Sequence, residues 1–111
     1  YEVPIHKALQ HMGSDFMDGM MVSETSRLVS MSTRNFQRMF KSLTGRSFVQ
    51  MLQEIRIRHS CGMLQYTRMS VQSIAEMIGI YDMNYFYRLF REKYGMTPGQ
   101  FRLLHNLEGT W

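Results

Sequence analysis

Apolar residues recur along the chain at intervals of three and four positions, which is the spacing of one face of an α-helix. Alternating apolar and polar stretches, which would indicate strands, are nearly absent. The pattern predicts seven helices, at about Pro4 to Met12, Glu24 to Val29, Thr33 to Ser42, Phe48 to Gln65, Val71 to Ile78, Met83 to Lys93 and Pro98 to Leu104. The predicted fold class is therefore all-α.

Residues that favour helix ends support these boundaries. Ser32, Ser70 and Asp82 stand at predicted N-cap positions, where a side-chain oxygen accepts a hydrogen bond from a backbone amide of the first turn. Gly45 and Gly95 stand where a residue in the left-handed conformation closes a helix. The helices that these residues flank therefore have defined ends.

Two other glycines lie in or beside predicted helices. Gly13 follows the first helix and is expected to end it. Gly62 lies in the middle of the fourth helix, where glycine costs about 1 kcal/mol relative to alanine. We expect the missing side chain of Gly62 to allow close packing of a neighbouring helix.

One stretch of sequence occurs twice, fifty positions apart. The segment RNFQRMFK at 34–41 returns as NYFYRLFR at 84–91. In each copy two aromatic residues four apart, with Met or Leu between them, form an apolar face, and the opposite face is polar and basic. A capping box of the form S/T-x-x-Q follows both copies at the same offset, at 47–50 and 97–100. A short helix, a turn and a second helix with an exposed polar face are typical of a helix-turn-helix, so the sequence predicts two of them.

The charge distribution indicates a polyanionic partner. The net charge is +4 and the isoelectric point is about 9.5. Residues 25–53 contain five basic residues and no acidic one. Most of the basic residues are Arg, which binds phosphate and guanine in a bidentate manner better than Lys does. A merely solvated surface would mix the two signs of charge more evenly.

Other classes of function have little support in the residues. The single cysteine, Cys61, forbids an internal disulfide and fits a reducing compartment. No apolar stretch approaches the roughly 18 residues of a membrane span, and no signal peptide is visible, so a cytoplasmic protein is expected. Zinc-site spacings, glycine-rich phosphate loops and paired carboxylates are missing from the sequence, so we predict no enzyme, no metal and no cofactor. Cys61 itself is expected to be a packing residue.

The polar faces of the two repeated helices are the candidate site. A helix fits the DNA major groove, where Arg pairs with guanine and Asn or Gln pairs with adenine. The predicted base-contacting residues are Arg34, Gln37, Arg38, Met83, Asn84, Tyr87 and Arg88. The predicted phosphate-contacting residues lie at the helix N-termini or further along the chain, and they are Ser32, Thr33, Lys41, Arg46, Tyr85, Arg91 and Lys93.

Purely structural roles compete with these assignments. Arg38 and Arg88 could instead form salt bridges, for instance with Glu54 or Glu76. Tyr87 could be partly packed into the core. These alternatives stay open at the level of the sequence.

A long ordered series of motifs runs through the second half of the chain. It comprises SVQSIAEMIGI at 70–80 and YFYRLFREKYGMTPGQFR at 85–102. These contain an alanine and a glycine in the turn region, an F-x-R-x-F core, G-x-T-P and an aromatic-Arg end. Residues of the first half fall on the same pattern, namely Ser32, Phe36, Arg38, Phe40, Gly45 and Ser47, and Ile55-Arg56 matches the start of a linker helix. From about Ile5 to Arg102 the chain resembles the DNA-binding domain of the AraC/XylS family of bacterial transcription regulators.

This resemblance implies an architecture and a function. It implies two homeodomain-like helix-turn-helix subdomains, at 1–46 and 67–104, joined by a linker helix at 47–66 and followed by a tail at 105–111. It also implies sequence-specific binding to double-stranded DNA, with the two recognition helices in successive major-groove segments about 34 Å apart. Transcription activation through RNA polymerase, action at the nucleoid and a separate N-terminal effector or dimerisation domain are further implications. The start at Tyr1 rather than Met favours such a preceding domain.

Four residues depart from the family pattern. Ser26 and Ser60 stand where alanine is usual, Ser30 stands where a turn glycine is common, and Ile80 stands where an aromatic residue is common. We therefore expect the first helix-turn-helix to be packed less tightly than the second.

Two other functions are compatible with the residues. One is a helical protein-interaction module that uses the Met- and Tyr-rich surface. The other is RNA binding, with Tyr81, Tyr85 and Tyr87 stacked on bases. The repeated basic faces favour duplex DNA over both.

Overall fold

The computed structural model describes residues 2–15 and 22–105 of the chain. This described part contains seven α-helices and no strand: α1 (Glu2–Asp15), α2 (Val22–Leu28), α3 (Thr33–Thr44), α4 (Phe48–Tyr66), α5 (Val71–Met77), α6 (Met83–Tyr94) and α7 (Pro98–His105). The predicted all-α class is confirmed. Residues 106–111 of the predicted tail lie outside the described part. Within that part, no helix has both the length and the apolar character that crossing a membrane requires.

The predicted capping residues close their helices as expected, with one exception, while α1 and α2 each begin two residues earlier than predicted. Ser32, Ser70 and Asp82 each accept a hydrogen bond from the amide three residues further on, at 3.2, 3.0 and 3.2 Å. Gly45 and Gly95 adopt φ of 77° and 72°. The exception is the segment after Met12, because α1 continues to residue 15 through a glycine that does not adopt a positive φ. The prediction that Gly13 ends the first helix was therefore wrong.

Both capping boxes are confirmed. In the first, the Ser47 amide donates to Gln50 Oε1 at 2.9 Å and the Gln50 amide donates to Ser47 Oγ at 3.1 Å. In the second, Thr97 and Gln100 form the same reciprocal pair at the same two distances. Each box satisfies two backbone amides at the start of its helix, α4 or α7.

The chain divides into two compact units, Tyr1–Ile55 and Arg56–Trp111. The division falls within α4, so the two ends of this helix contribute to different cores. The limits predicted from the sequence instead assigned the whole of this helix to a separate linker at 47–66.

The first unit has an aromatic core under α3. The rings of Phe36, Phe40 and Phe48 form a triangle with centroids 5.7 to 5.8 Å apart. The apolar side chains buried with them are Ile5, Ala8, Met12, Met39, Leu52 and Ile55. The i and i+4 aromatics of the repeat thus anchor α3 and leave its opposite face outward.

The second unit repeats this arrangement under α6. Phe90 lies 6.0 Å from Phe86 and 5.5 Å from Phe101, measured between ring centroids. The other buried apolar side chains are Ile57, Leu64, Ile74, Ala75, Ile78, Ile80 and Pro98. Ile80 is therefore a core residue at the position where the family resemblance leads one to expect an aromatic side chain.

The turn of the first helix-turn-helix closes α2 with a left-handed serine. The amides of Ser30 and Met31 donate to the carbonyls of Arg27 and Ser26 at 3.0 and 2.9 Å, which is the Schellman pattern. This pattern requires positive φ at Ser30, and the observed value is 60°. An L-residue costs roughly 1–2 kcal/mol in that conformation.

The turn of the second helix-turn-helix has the same hydrogen bonds but a glycine. Gly79 adopts φ of 90°, and a Cβ at this position would lie 3.2 Å from the Arg56 guanidinium. Arg56 is buried, with 7% of its surface exposed, so it has little room to move away. Glycine is therefore favoured at position 79 both by its φ and by the close approach of Arg56.

Between this glycine and the N-cap Asp82 the second turn contains one residue more than the first. The extra residue is Tyr81, which is 77% exposed.

Two serines that replace alanine are buried and hydrogen-bonded. Ser26 is 2% exposed, and its Oγ lies 3.2 Å from Thr33 Oγ1. Ser60 is fully buried and donates to the Ile57 carbonyl at 2.6 Å. Ser26 is thus about as buried as its counterpart Ala75. The two motifs therefore do not differ in burial at this position, and the looser packing of the first stays a prediction.

Gly62 faces solvent. An added Cβ would meet no atom within 4 Å, so no neighbouring helix approaches it among the described residues. The predicted role of Gly62 in close packing was wrong, because the glycine lies on the outer side of α4.

Candidate nucleic-acid interface

α3 presents a polar face on the side opposite its phenylalanines. Arg34, Gln37, Arg38 and Lys41 are all exposed. They lie at i, i+3, i+4 and i+7, so they follow one another along a single stripe of the helix. We call these four residues the recognition face of α3.

α6 presents the corresponding face. Asn84, Arg88 and Arg91 are exposed, and Tyr87 is half-buried. These four residues are the recognition face of α6. Together with Glu92 they line an open hollow of about 410 Å³. The structure therefore brings together the residues that the sequence placed on this face.

The competing salt-bridge assignments are not observed. Among the described residues, neither Arg38 nor Arg88 forms an ion pair with a carboxylate. Glu54 instead pairs with Arg46, and Glu76 accepts a hydrogen bond from Gln72 Nε2 at 3.2 Å. Both arginines of the F-x-R-x-F motifs thus remain exposed to solvent. The alternative for Tyr87 is partly borne out, since its ring lies 6.2 Å from that of Phe86.

Arg88 and Tyr85 form a cation–π pair on α6. The Arg88 Cζ lies 5.1 Å from the centroid of the Tyr85 ring. Tyr85 is half-buried, and its amide is held by the Asp82 cap. On α3, the residue at the position of Tyr85 is Asn35, which offers no ring.

The predicted phosphate contacts at the start of α3 already have partners within the chain. Ser32 Oγ accepts the Asn35 amide, and its hydroxyl hydrogen is still available to a phosphate oxygen. Thr33 shares its hydroxyl with Ser26. The corresponding cap of α6 is Asp82, whose negative charge opposes an anion at that helix end.

The remaining predicted phosphate contacts differ in availability. Lys41 and Arg91 are exposed on their recognition faces. Arg46 is paired with Glu54, so a phosphate would have to share or replace that carboxylate. Lys93 is also exposed, and its Nζ lies 5.7 Å from the ring centroid of Tyr94, to the side of the recognition face.

Three neighbours of the recognition arginines were not selected from the sequence. Asn35 and Ser42 line a hollow of about 310 Å³ together with Arg38. Glu92 lines the hollow of α6 with Arg88. Their spacing of three or four residues from the arginines is the signal that would have identified them.

A buried cation lies behind the second turn. Burial lowers the pKa of the Arg56 guanidinium, and the hydroxyls of Tyr81 and Tyr85 oppose this shift. A charge this deep is tolerated only with polar partners around it. Arg56 thereby connects α4 to the turn that positions α6 within the second unit.

Cys61 and Tyr94 are half-buried and contact each other or the helix backbone. Cys61 Sγ donates to the Ile57 carbonyl at 3.7 Å, and burial raises the pKa of this thiol. Burial also raises the pKa of Tyr94, and a hydrogen bond with Cys61 adds to the effect. These contacts agree with a packing role for Cys61. Over the described ranges, His, Cys, Asp and Glu side chains form no group of three or more that could hold a metal ion.

Comparison with known proteins identifies the family. The model of the helix-turn-helix domain family matches residues 25–103. The HTH-type transcriptional activator RhaR of Escherichia coli (strain K12) is 35% identical over 77 residues, which are 69% of this chain and 27% of that protein. RhaR of Shigella flexneri serotype 5b (strain 8401) matches to the same extent. The chain thus matches about a quarter of the length of these curated relatives.

Known structures share the fold. An AraC-type transcriptional regulator from Chromobacterium violaceum has a TM-score of 0.87 at 21% identity, covering 96% of this chain and 95% of that one. The DNA-binding domain of AdpA, crystallised with a target DNA, has a TM-score of 0.85 at 24% identity, covering 95% of both chains. The family match covers most of the chain and the fold agrees with it. The chain therefore belongs to the helix-turn-helix domain family, and its fold is that of AraC-type DNA-binding domains.

Proposed function

We propose that the chain binds double-stranded DNA with sequence preference, placing α3 and α6 in successive segments of the major groove. The observation that carries the proposal is the repeated recognition face. Each helix buries its two Phe side chains and turns a stripe of four polar residues outward, with three cations on α3 and two on α6. One chain then contacts two different blocks of sequence, so its site need not be palindromic.

The recognition faces divide into base and phosphate contacts. Arg34, Gln37 and Arg38 contact bases in the first block, since guanine accepts bidentate bonds from Arg and adenine pairs with Gln. Asn84 and Arg88 do so in the second block. The other proposed base contacts are Met83 and Tyr87, which offer apolar surface to thymine methyl groups.

Phosphate contacts position each helix without selecting a sequence. Lys41 and Arg91 stand one turn beyond the base-contacting arginines on the same stripes, where a cation meets the DNA backbone. The further proposed phosphate contacts are Ser32, Thr33, Arg46, Tyr85 and Lys93.

The test is selection of binding sites from a randomised duplex library with the purified chain at about 150 mM salt, since affinity depends on salt. We expect two enriched blocks centred about 10 base pairs apart. Arg38→Ala is expected to flatten one position of one block, and Arg88→Ala one position of the other. A library that is not enriched over its starting pool would contradict the proposal.

An RNA competitor separates the nearest alternative. If the aromatic surface served to stack bases, single-stranded RNA would displace the selected duplex at similar concentrations. We expect instead that RNA of the same sequence and length competes poorly.

The relatives support a proposal about the regulatory role. We propose that the protein activates transcription in a bacterium, acting in the cytoplasm at the nucleoid and contacting RNA polymerase. A separate effector or dimerisation domain N-terminal to this one is also proposed, since the RhaR relatives are activators of greater length. Transcription by purified bacterial RNA polymerase, from a promoter with the selected site upstream, should increase when the protein is added. Unchanged or reduced transcription would contradict the activator role and leave DNA binding intact.

A further inference from the structure

We infer that Tyr85 is a positioning residue that holds Arg88 in place for its base contact, and that the first recognition helix lacks this device. The inference rests on the proposed function, because it assigns a cause to sequence preference in one of the two half-sites. The inference concerns how α6 selects a base and does not concern whether the chain binds DNA.

The geometry on α6 carries the inference. The Arg88 guanidinium carbon lies 5.1 Å from the Tyr85 ring centroid, within the roughly 6 Å over which a cation and an aromatic face attract each other. The two residues are three apart on a helix, so their side chains are neighbours on its surface. The pair therefore restricts the rotamers of Arg88 before any DNA arrives.

The tyrosine is itself held in place. Tyr85 is half-buried and its amide donates to the Asp82 cap at 3.2 Å, so its backbone belongs to the fixed first turn of α6. A half-buried ring on a fixed turn of the helix can act as a platform for the exposed Arg88 side chain.

The first unit provides the comparison. Asn35 occupies the position of Tyr85, and Arg38 occupies that of Arg88. Arg38 is exposed and makes no ion pair or cation–π contact among the described residues. It must lose more rotamer freedom when it binds a base, and this cost weakens its discrimination.

The arrangement predicts a difference between the half-sites. The base contacted by Arg88 should be selected more strongly than the base contacted by Arg38. The expected difference is about two- to fivefold, which is the size of an exposed cation–π interaction.

The experiment is site selection by the purified chain, comparing the wild type with Tyr85→Phe and Tyr85→Leu. Arg88→Ala first identifies the base position that depends on Arg88. Tyr85→Phe keeps the ring and should retain the base preference there, while the loss of the proposed phosphate contact through its hydroxyl weakens binding to all sequences alike. Tyr85→Leu should lower it about two- to fivefold and leave the other block unchanged.

The first unit offers a gain-of-function test. Asn35→Tyr places a ring three residues before Arg38, on an exposed part of α3, and should raise the preference at the position that depends on Arg38. Asn35→Leu supplies bulk without a ring and should not raise it. Asn35→Tyr and Asn35→Leu together test whether a ring strengthens the base preference of the neighbouring arginine, even if Tyr85→Leu fails to fold. Circular dichroism would show such a failure.

The outcomes separate the inference from the function beneath it. If the wild type selects a bipartite site and the Arg88-dependent preference survives Tyr85→Leu, the inference alone is overturned. Equal losses for Tyr85→Phe and Tyr85→Leu would also overturn it, because the hydroxyl and not the ring would then be the cause. A wild type that selects no site would remove the proposed function, and the inference with it.

Discussion

At the turn before the recognition helix, the first unit has Ser30 where the second has Gly79. Both residues adopt positive φ and both close a Schellman pattern with nearly the same hydrogen-bond lengths. The difference lies in what surrounds them, because Ser30 is exposed whereas the guanidinium of the buried Arg56 lies against Gly79. The same backbone path therefore accepts a side chain in one unit and leaves little room for one in the other.

A second difference lies where α2 meets α3 and where α5 meets α6. The first unit has a buried hydroxyl at Ser26 that bonds to Thr33. The second has Ala75 at the equivalent position, and its recognition helix opens with Met83, which carries no hydroxyl. The first unit thus has a hydroxyl at both of these positions, and the second unit has a hydroxyl at neither. A hydroxyl is tolerated at the buried position where the recognition helix supplies a hydrogen-bonding partner.

The recognition faces differ more than the scaffolds. α3 combines three cations with Gln37, and α6 combines two cations with Asn84 and a half-buried Tyr87. The buried Phe pair is the same in both helices. The repeat thus keeps the anchor and varies the surface, which is the expected division between fold and site.

The largest expected effect is at the turns. Gly79→Ala should destabilise the protein by about 2–3 kcal/mol, from left-handed strain and the contact with Arg56. Ser30→Gly should be neutral or stabilise by at most about 1 kcal/mol, since relief of strain is partly offset by chain entropy. Urea unfolding followed by circular dichroism measures both. Equal decreases in the free energy of unfolding for Gly79→Ala and Ser30→Gly would contradict the proposed difference between the two turns.

Exchanging the buried small residues should have the next largest effect. Ala75→Ser places a hydroxyl in a fully buried position without the partner that Thr33 supplies in the first unit, and should cost about 1–3 kcal/mol. Ser26→Ala should cost less, about 1 kcal/mol, because the hydroxyl left behind on Thr33 is only half-buried. The midpoints of urea unfolding of Ala75→Ser and Ser26→Ala show which substitution destabilises the protein more. A harmless Ala75→Ser would mean that the new hydroxyl bonds to its own helix backbone.

The matched cations Lys41 and Arg91 compare the two faces in DNA binding. Each alanine variant should weaken binding to all duplex sequences alike and lower the salt slope of log affinity by about one. Fluorescence anisotropy from 50 to 300 mM salt would measure the slopes. If only one variant changes the salt slope, the other residue makes no phosphate contact. The recognition faces of α3 and α6 would then bind DNA in different orientations.

The smallest expected effect serves as a control outside both faces. Gly62→Ala should stabilise the protein by about 0.5–1 kcal/mol, because the glycine is helical and an added Cβ meets open space. Its DNA affinity should equal that of the wild type. A loss of stability would indicate that α4 requires flexibility at this position.

The sequence by itself determined the helices, their caps and their buried faces. These features depend on residues within four positions of one another, such as Ser32 with Asn35 or Phe36 with Phe40, so local spacing is sufficient. The four polar positions of each recognition face follow from the same periodicity. The continuation of α1 through Gly13 was missed, because a glycine is compatible both with a helix and with its end.

Only the tertiary structure decided the contacts between distant positions. Burial of Arg56 against Gly79 and the hydrogen bonds of Arg102 to the carbonyls of Leu64 and Thr67 join residues far apart in the chain. The pairing of Ser26 with Thr33 joins two neighbouring helices. Such contacts depend on how whole helices pack, and many partners are compatible with the same local pattern. The sequence could therefore place a recognition arginine on the outer face, but the fold decided that neither Arg38 nor Arg88 is drawn into an ion pair within the described structure.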